Sequence, residues 1–217
     1  FLTWGWTEQA GLAGRYVPFL APALASIKRS HKEKETTLIM VGARLALNGM
    51  RFDSLPRPRA ILRYRQRKIH FLSALANNIR QNTHYRPHER SSVDLEDGSY
   101  VQRHLPEVRL IEKNFNTALK GCRLLVMDHP GTTMHQAVAA NIPMVCCWNP
   151  DDWPFCAEAQ PYFDTLENAG VLFRETNAAA SHINEIWEDV AAWWSQSSVV
   201  FAIENWRYRF ARTGNFP

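Results

Sequence analysis

The chain alternates between short, wholly apolar runs and longer stretches in which apolar residues recur at helical spacing. The apolar runs lie in "TTLIMVGA" (36–43), "RLLVMD" (123–128) and "PMVCCW" (143–148). Runs this short, bounded by Gly, Asp, Asn or Pro, predict strands buried on both faces. Further short strands are predicted in "THYRPHE" (83–89), "VRLIE" (108–112) and "VLFRE" (171–175). Between them, "QRKIHFLSALANNIRQ" (66–81) places Ile69, Leu72, Leu75, Ala76 and Ile79 at helical spacing, an amphipathic helix. Helices are also predicted in "NFNTALKGC" (114–122), closed by Gly121, in "TTMHQAVAAN" (132–141), and in "AEAQPYFDTLENAG" (157–170), broken at Pro161. Two more follow in "NAAASHINEIWEDVAAWW" (177–194) and "SVVFAIENWRYRFAR" (198–212), with Trp187, Trp194, Phe201 and Trp206 as a stripe of core packing.

The remaining segments read as connections. "FLTWGWTEQAGLAGRYVPFLAPAL" (1–24) predicts a loop and short helix rather than a strand, "MRFDSLPRPR" (50–59) a Pro-rich loop, and "SSVDLEDGSYVQRHLPE" (91–107) a polar, turn-rich stretch. Repeated strand–helix alternation implies an α/β fold. The expected architecture is a doubly wound, mostly parallel, Rossmann-like sheet of about five to six strands with helices on both faces and C-terminal helices. Residues 1–37 are expected to form an interlobe remnant, 38–194 the Rossmann-like domain and 195–217 a C-terminal helix.

Composition narrows the class. Of 217 residues, 46% are hydrophobic and 21% charged, an ordinary globular balance. No apolar run approaches the ~20 residues of a membrane span. The first residue is Phe1, and no signal-peptide pattern follows. The net charge of +4 is concentrated in "RPRAILRYRQRK" (57–68), with Arg80, Arg86 and Arg90 beyond it. This run is either a solvated basic face or an anion-binding surface. Nucleic acid is not expected as a partner, because only Tyr64 lies close enough to stack on a base. Cys122, Cys146, Cys147 and Cys156 lack metal-finger spacing, and the Cys146–Cys147 pair sits inside a strand. Reduced thiols and a cytoplasmic location are expected. The eight histidines form no metal pair, so no metal is expected.

In doubly wound sheets, ligands bind beyond the carboxyl ends of the strands. The candidates are therefore Gly42, Ala43 and Arg44; Arg86, His88 and Arg90; Asp128 to Thr133; and Trp148 to Asp152. In the third group Gly131 permits a tight turn. Thr132 or Thr133 is placed to cap the next helix, whose first N–H groups make an anion site, and His129 adds a charge-assisted donor. A bare Thr N-cap without a ligand is the alternative. Arg44, Arg86 and Arg90 offer forked contacts to phosphate or carboxylate. Glu96–Asp97–Gly98 is either a general base near a turn or an ordinary acidic turn.

Taken together, "TWGW", "RQRKIHFLSAL", "DHPGTTMHQAVAANIPMVCCW" and "PYFDTLENAGVLF" resemble the nucleotide-binding C-terminal half of a GT-B-type glycosyltransferase. More narrowly, they are similar to bacterial transferases of surface-carbohydrate synthesis. The resemblance implies a nucleotide-sugar donor, a glycan or lipid-linked acceptor, a lobe preceding Phe1, peripheral association with a membrane, and no cofactor. It implies that Gly42, Arg44, Asp128, Gly131, Thr132 and Thr133 hold the donor, that Gln136 contacts the ribose and that Trp148 borders the base. It further implies that Arg44, Arg86 and His88 neutralise the leaving group and that His129 binds phosphate or donates a proton. Gln136 stands where the family pattern has Glu, so a charged ribose contact becomes a neutral one. His129–Pro130 and Glu96–Asp97–Gly98 also resemble short motifs of bacterial sialyltransferases. A binding module without turnover and a nucleotide-sugar epimerase share the same scaffold and remain alternatives.

Overall fold

A computed structural model describes residues 2–3, 14–18, 36–45, 60–88, 94–111 and 115–213. Arg90, the interlobe assignment for most of residues 1–37 and the Pro-rich loop before residue 60 lie outside the described residues.

Six parallel strands form the central sheet: β3 (Leu38–Val41), β4 (Thr83–Arg86), β5 (Arg109–Leu110), β6 (Leu124–Met127), β7 (Met144–Cys147) and β8 (Leu172–Phe173). Every residue of β3, β6 and β7 is buried, which is why these strands read as unbroken apolar runs. Their order is β5-β4-β3-β6-β7-β8. The winding therefore reverses between β3 and β6, where Leu38 pairs with Leu124 and Val41 with Met127. That is the doubly wound arrangement, and the crevice at the reversal is where such sheets usually take ligands.

The helices are α1 (Ile61–Ala74), α2 (Asn77–Gln81), α3 (Asp97–His104), α4 (Phe115–Lys120), α5 (Thr132–Ala139), α6 (Gln160–Asn168), α7 (Thr176–Ile186), α8 (Val190–Trp194) and α9 (Ser197–Phe210). α1 packs along α7 and touches α3, whereas α5 and α6 pack on α9. Right-handed crossovers in two opposite winding directions put these two groups on opposite faces.

Several local expectations are corrected. The helix expected over 66–81 begins earlier and breaks at Leu75, whose backbone is extended. Its buried stripe is Tyr64, Lys68, Phe71 and Leu72, not one through Ile69. The polar stretch 91–107 contains α3, and Leu2–Thr3 pairs in parallel with Val17–Pro18 as strands β1 and β2. Pro161 begins α6 instead of breaking it, since the first turn needs no N–H there. Phe201 is 65% exposed, so the aromatic stripe of the core is Trp187, Trp194 and Trp206 without it. Cys146 and Cys147 are buried thiols, and burial pushes Cys147 up to about 12.

Candidate functional site

The β3–β6 reversal is filled by a buried polar network. α1 supplies Tyr64 and Lys68, one helical turn apart, so both descend on the strand ends. The Lys68 side chain has no solvent exposure. Its ammonium meets the Asp97 carboxylate, the Tyr85 hydroxyl at 2.6 Å and Asp128 Oδ2 at 3.4 Å. Tyr85 donates to Asp97 as well, and Arg65 Nε reaches Asp97 Oδ1 at 3.1 Å. Tyr64 donates to Asp128 Oδ2 at 2.6 Å and accepts from the Ala43 N–H at 2.8 Å. His129 Nδ1 lies 2.9 Å from Asp128 Oδ1. Burial pushes Asp128 upward, but the Lys68 charge, His129 and the Tyr64 hydroxyl outweigh it, leaving the carboxyl below its ordinary value. Burial raises Tyr64 and Tyr85 well above the usual phenol value, with Asp128 and Asp97 adding to it.

Little space remains there. The cavity between Tyr64, Lys68, Asp128, Trp148 and Trp153 has a volume of about 20 Å³, room for roughly one water. Gly42 is packed against this network. A Cβ on it would stand 2.0 Å from the Tyr85 hydroxyl, so its missing side chain accommodates Tyr85. Asp97 is likewise no exposed base: it is 2% exposed and engaged by Lys68 and Arg65.

Beside this plug lies an open groove. It begins at Pro130, Gly131 and Thr132, runs along Met134 and His135, and is walled by Trp153, Phe155, Phe163, Trp206 and Phe210. Its volume is about 360 Å³, within the range of small-ligand sites. Gly131 is the N-cap of α5 and, among the described residues, no side chain caps that helix, so the Thr cap expected from the sequence is corrected. Thr132 is exposed and Thr133 half-buried, both in the first turn, where backbone N–H groups lack helical acceptors. Gly131 is extended, not left-handed. Its need for glycine comes from His129, whose Nε2 would lie 2.9 Å from a Cβ. The His129 ring sits 5.6 Å from that of Trp153. His135 stacks at 5.9 Å on Trp206 and accepts its indole N–H at 3.4 Å; burial lowers it to about 4.

The structure thus brings Asp128, His129, Gly131 and Thr132 together, with Thr133 adjacent. Among the described residues, Arg44, Arg86 and His88 are not part of the groove walls. Arg44 pairs with buried Asp94 at 2.9 Å, and Arg86 donates to the Ile111 carbonyl at 2.8 Å and lies over Phe115. His88 is half-buried beyond β4. Gln136 is half-buried on α5 outside the groove walls. Trp148 is 2% exposed and packs edge-on against Phe155 and Phe163, behind the groove. Trp153, a few residues further along the same loop, lines it instead, together with Trp206. A larger groove of about 560 Å³ lies between Pro143, at the amino end of β7, and α9. It is at the wrong edge of the sheet for the strand-end rule.

The family model of the LIC12162 family transferase matches residues 1–217. The chain belongs to that transferase family. The transferase resemblance carried by the Thr-Thr to Asn-x-Pro block is borne out at this level. No curated protein matches. One solved structure that is similar is WaaG, a glycosyltransferase involved in lipopolysaccharide biosynthesis. It is 15% identical with a TM-score of 0.38, and the match covers 82% of this chain. The chain spans 48% of that structure's chain. Among the described residues of this family member, no helix is long and apolar enough to cross a membrane, and no three His, Cys, Asp or Glu side chains group to hold a metal ion.

Proposed function

We propose that the chain binds a nucleotide-activated sugar in the α5 groove and takes part in transferring that sugar to a glycan or lipid-linked acceptor. The observation that carries this reading is the position of the groove. It opens at the carboxyl end of β6, beside the winding reversal, against an uncapped helix N-terminus. The diphosphate or monophosphate of the donor lies at the first turn of α5. There the Thr132 hydroxyl, backbone N–H groups and helix dipole take up the charge that grows on the leaving group. Among the described residues, the groove walls contain neither Lys nor Arg, and dipoles supply this stabilisation. The base or sugar ring packs against the aromatic wall that includes Phe155 and the exposed edge of Trp153. Membership in a transferase family supports group transfer over isomerisation.

The test is calorimetric. CMP-, UDP- and GDP-linked sugars are titrated into the protein and into a variant carrying Thr132→Val with Thr133→Val. The favoured donor is expected to lose ~1–3 kcal/mol of binding in the variant, the cost of orphaned polar partners. Equal affinity in both, with the fold intact, rules out the α5 site. Release of free nucleotide that depends on an added acceptor separates transfer from donor hydrolysis.

A further inference from the structure

The hydrogen bonds around Asp128 have a fixed polarity. An amide N–H has no acceptor capacity, so between Ala43 N and the Tyr64 hydroxyl, 2.8 Å apart, the amide must donate. The single phenolic proton is then left for Asp128 Oδ2, 2.6 Å away. The Lys68 ammonium also faces Oδ2, at 3.4 Å. With the Tyr64 hydroxyl donating to this oxygen and the buried Lys68 cation beside it, Asp128 is held as the carboxylate. Its other oxygen therefore accepts, and the proton between Oδ1 and His129 belongs to Nδ1. In the neutral imidazole this leaves the lone pair on Nε2. That nitrogen lies over Gly131, 2.9 Å from where a Cβ would be, and the ring stands beside Trp153. Gly131 and Trp153 both line the groove.

We infer that Tyr64 and Asp128 are positioning residues that fix His129 as its Nδ1–H tautomer, so that Nε2 accepts a proton from a hydroxyl-bearing acceptor at the edge of the groove. The final step rests on the transfer reading above; the tautomer does not. In the transfer, the acceptor hydroxyl gives its proton to Nε2 as its oxygen bonds to the anomeric carbon. The bond from that carbon to the donor phosphate oxygen breaks, and the phosphate leaves with the electron pair. This replaces the proton-donor or phosphate-binding role that the sequence implied for His129. It also explains why a tyrosine and a lysine of α1 are buried at the winding reversal: they set the direction of one proton.

Long-range proton–nitrogen spectra of the complete protein, labelled at histidine, test the relay. The spectrum of His129→Gln assigns the signals. In the wild-type protein the unprotonated nitrogen of His129 is expected to be Nε2. Tyr64→Phe, which keeps the ring and removes the hydroxyl, is expected to mix the two tautomers. Asp128→Asn is expected to favour the Nε2–H form; should that variant fail to fold, Tyr64→Phe still decides. A proton on Nε2 in the wild type, or an unchanged tautomer in well-folded variants, overturns the relay. For the catalytic step, Tyr64→Phe should lower kcat about tenfold, the scale of one lost hydrogen bond, at unchanged KM. Unchanged kcat in His129→Gln overturns the proton-acceptor role. If the tautomers behave as stated but the wild type transfers no sugar, the relay stands and the transfer reading falls.

Discussion

The winding reversal and the α5 groove share one edge of one sheet but are built in opposite ways. At the reversal, two carboxylates, an ammonium and two phenols are packed with room for about one water. In the groove, aromatic walls enclose about 360 Å³ and the polarity comes from an uncapped helix end. The first region pairs its charges with one another; in the second, among the described residues, no side chain caps the helix start. Among doubly wound sheets the reversal itself is the usual ligand crevice. Here its occupancy by α1 side chains moves the open volume one strand connection outward, to the start of α5.

The largest effect expected from this difference is on stability. Lys68→Met keeps the length of the side chain and leaves Asp97 and Asp128 facing each other without the ammonium between them. Removing one partner from a buried ionic network typically costs ~3–5 kcal/mol, and denaturant unfolding should register a loss of that order. Thr132→Val, in the groove, should stay within ~0.5 kcal/mol, as surface substitutions usually do. Similar losses in both would erase the distinction between a structural plug and a binding surface.

Both regions were only partly legible in the sequence. The strands β3, β6 and β7 were plain, because burial on both faces writes an unbroken apolar run. The α5 site followed from Asp128 to Thr133, because strand, Gly and helix fall together there. Lys68 was hidden by its type. It occupies a position of the α1 stripe, between Tyr64 and Phe71, where an apolar residue is expected, and a lysine in a basic run reads as solvated. The signal that was available is the spacing Tyr64, Lys68, Phe71, Leu72 and Leu75, which makes a better helical face than one through Ile69. Arg86 and Arg44 were misleading for the converse reason. Strand-end arginines suit anions, but these two are engaged with Ile111 and Asp94. Which partner a long side chain takes is a tertiary fact that local pattern does not hold.

The next effect separates the regions by pH. Burial depresses His135, in the groove wall, from 6.5 to about 4. The folded state therefore binds this proton less readily than the unfolded chain. The stability it contributes is complete above about 6.5 and is lost as pH falls through about 4. Across that window the loss is on the order of 3 kcal/mol, and protonation also ends the acceptance of the Trp206 N–H. Asp128 is also depressed, so its contribution is lost only below the ordinary carboxyl value of 3.8. Unfolding measured against pH should show the groove weakening first and the plug later. His135→Phe should flatten the upper limb alone. A curve that this variant leaves unchanged would mean that His135 ionises freely in the folded protein.

The smallest effect concerns Arg86, and it marks how far the site extends. β4 lies two strands from β6, roughly 10 Å across the sheet at the usual strand spacing. The guanidinium already donates to the Ile111 carbonyl at 2.8 Å and covers the Phe115 ring at 5.6 Å. Arg86→Ala should therefore cost about 0.5–1.5 kcal/mol of stability, the net value of one hydrogen bond. Donor affinity should stay within about twofold, with an unchanged dependence on salt, because no screened charge is removed from the groove. Should affinity fall and its salt dependence flatten, Arg86 reaches the donor after all. The site would then span the reversal from β4 to α5, with the Tyr64–Lys68 plug as its floor.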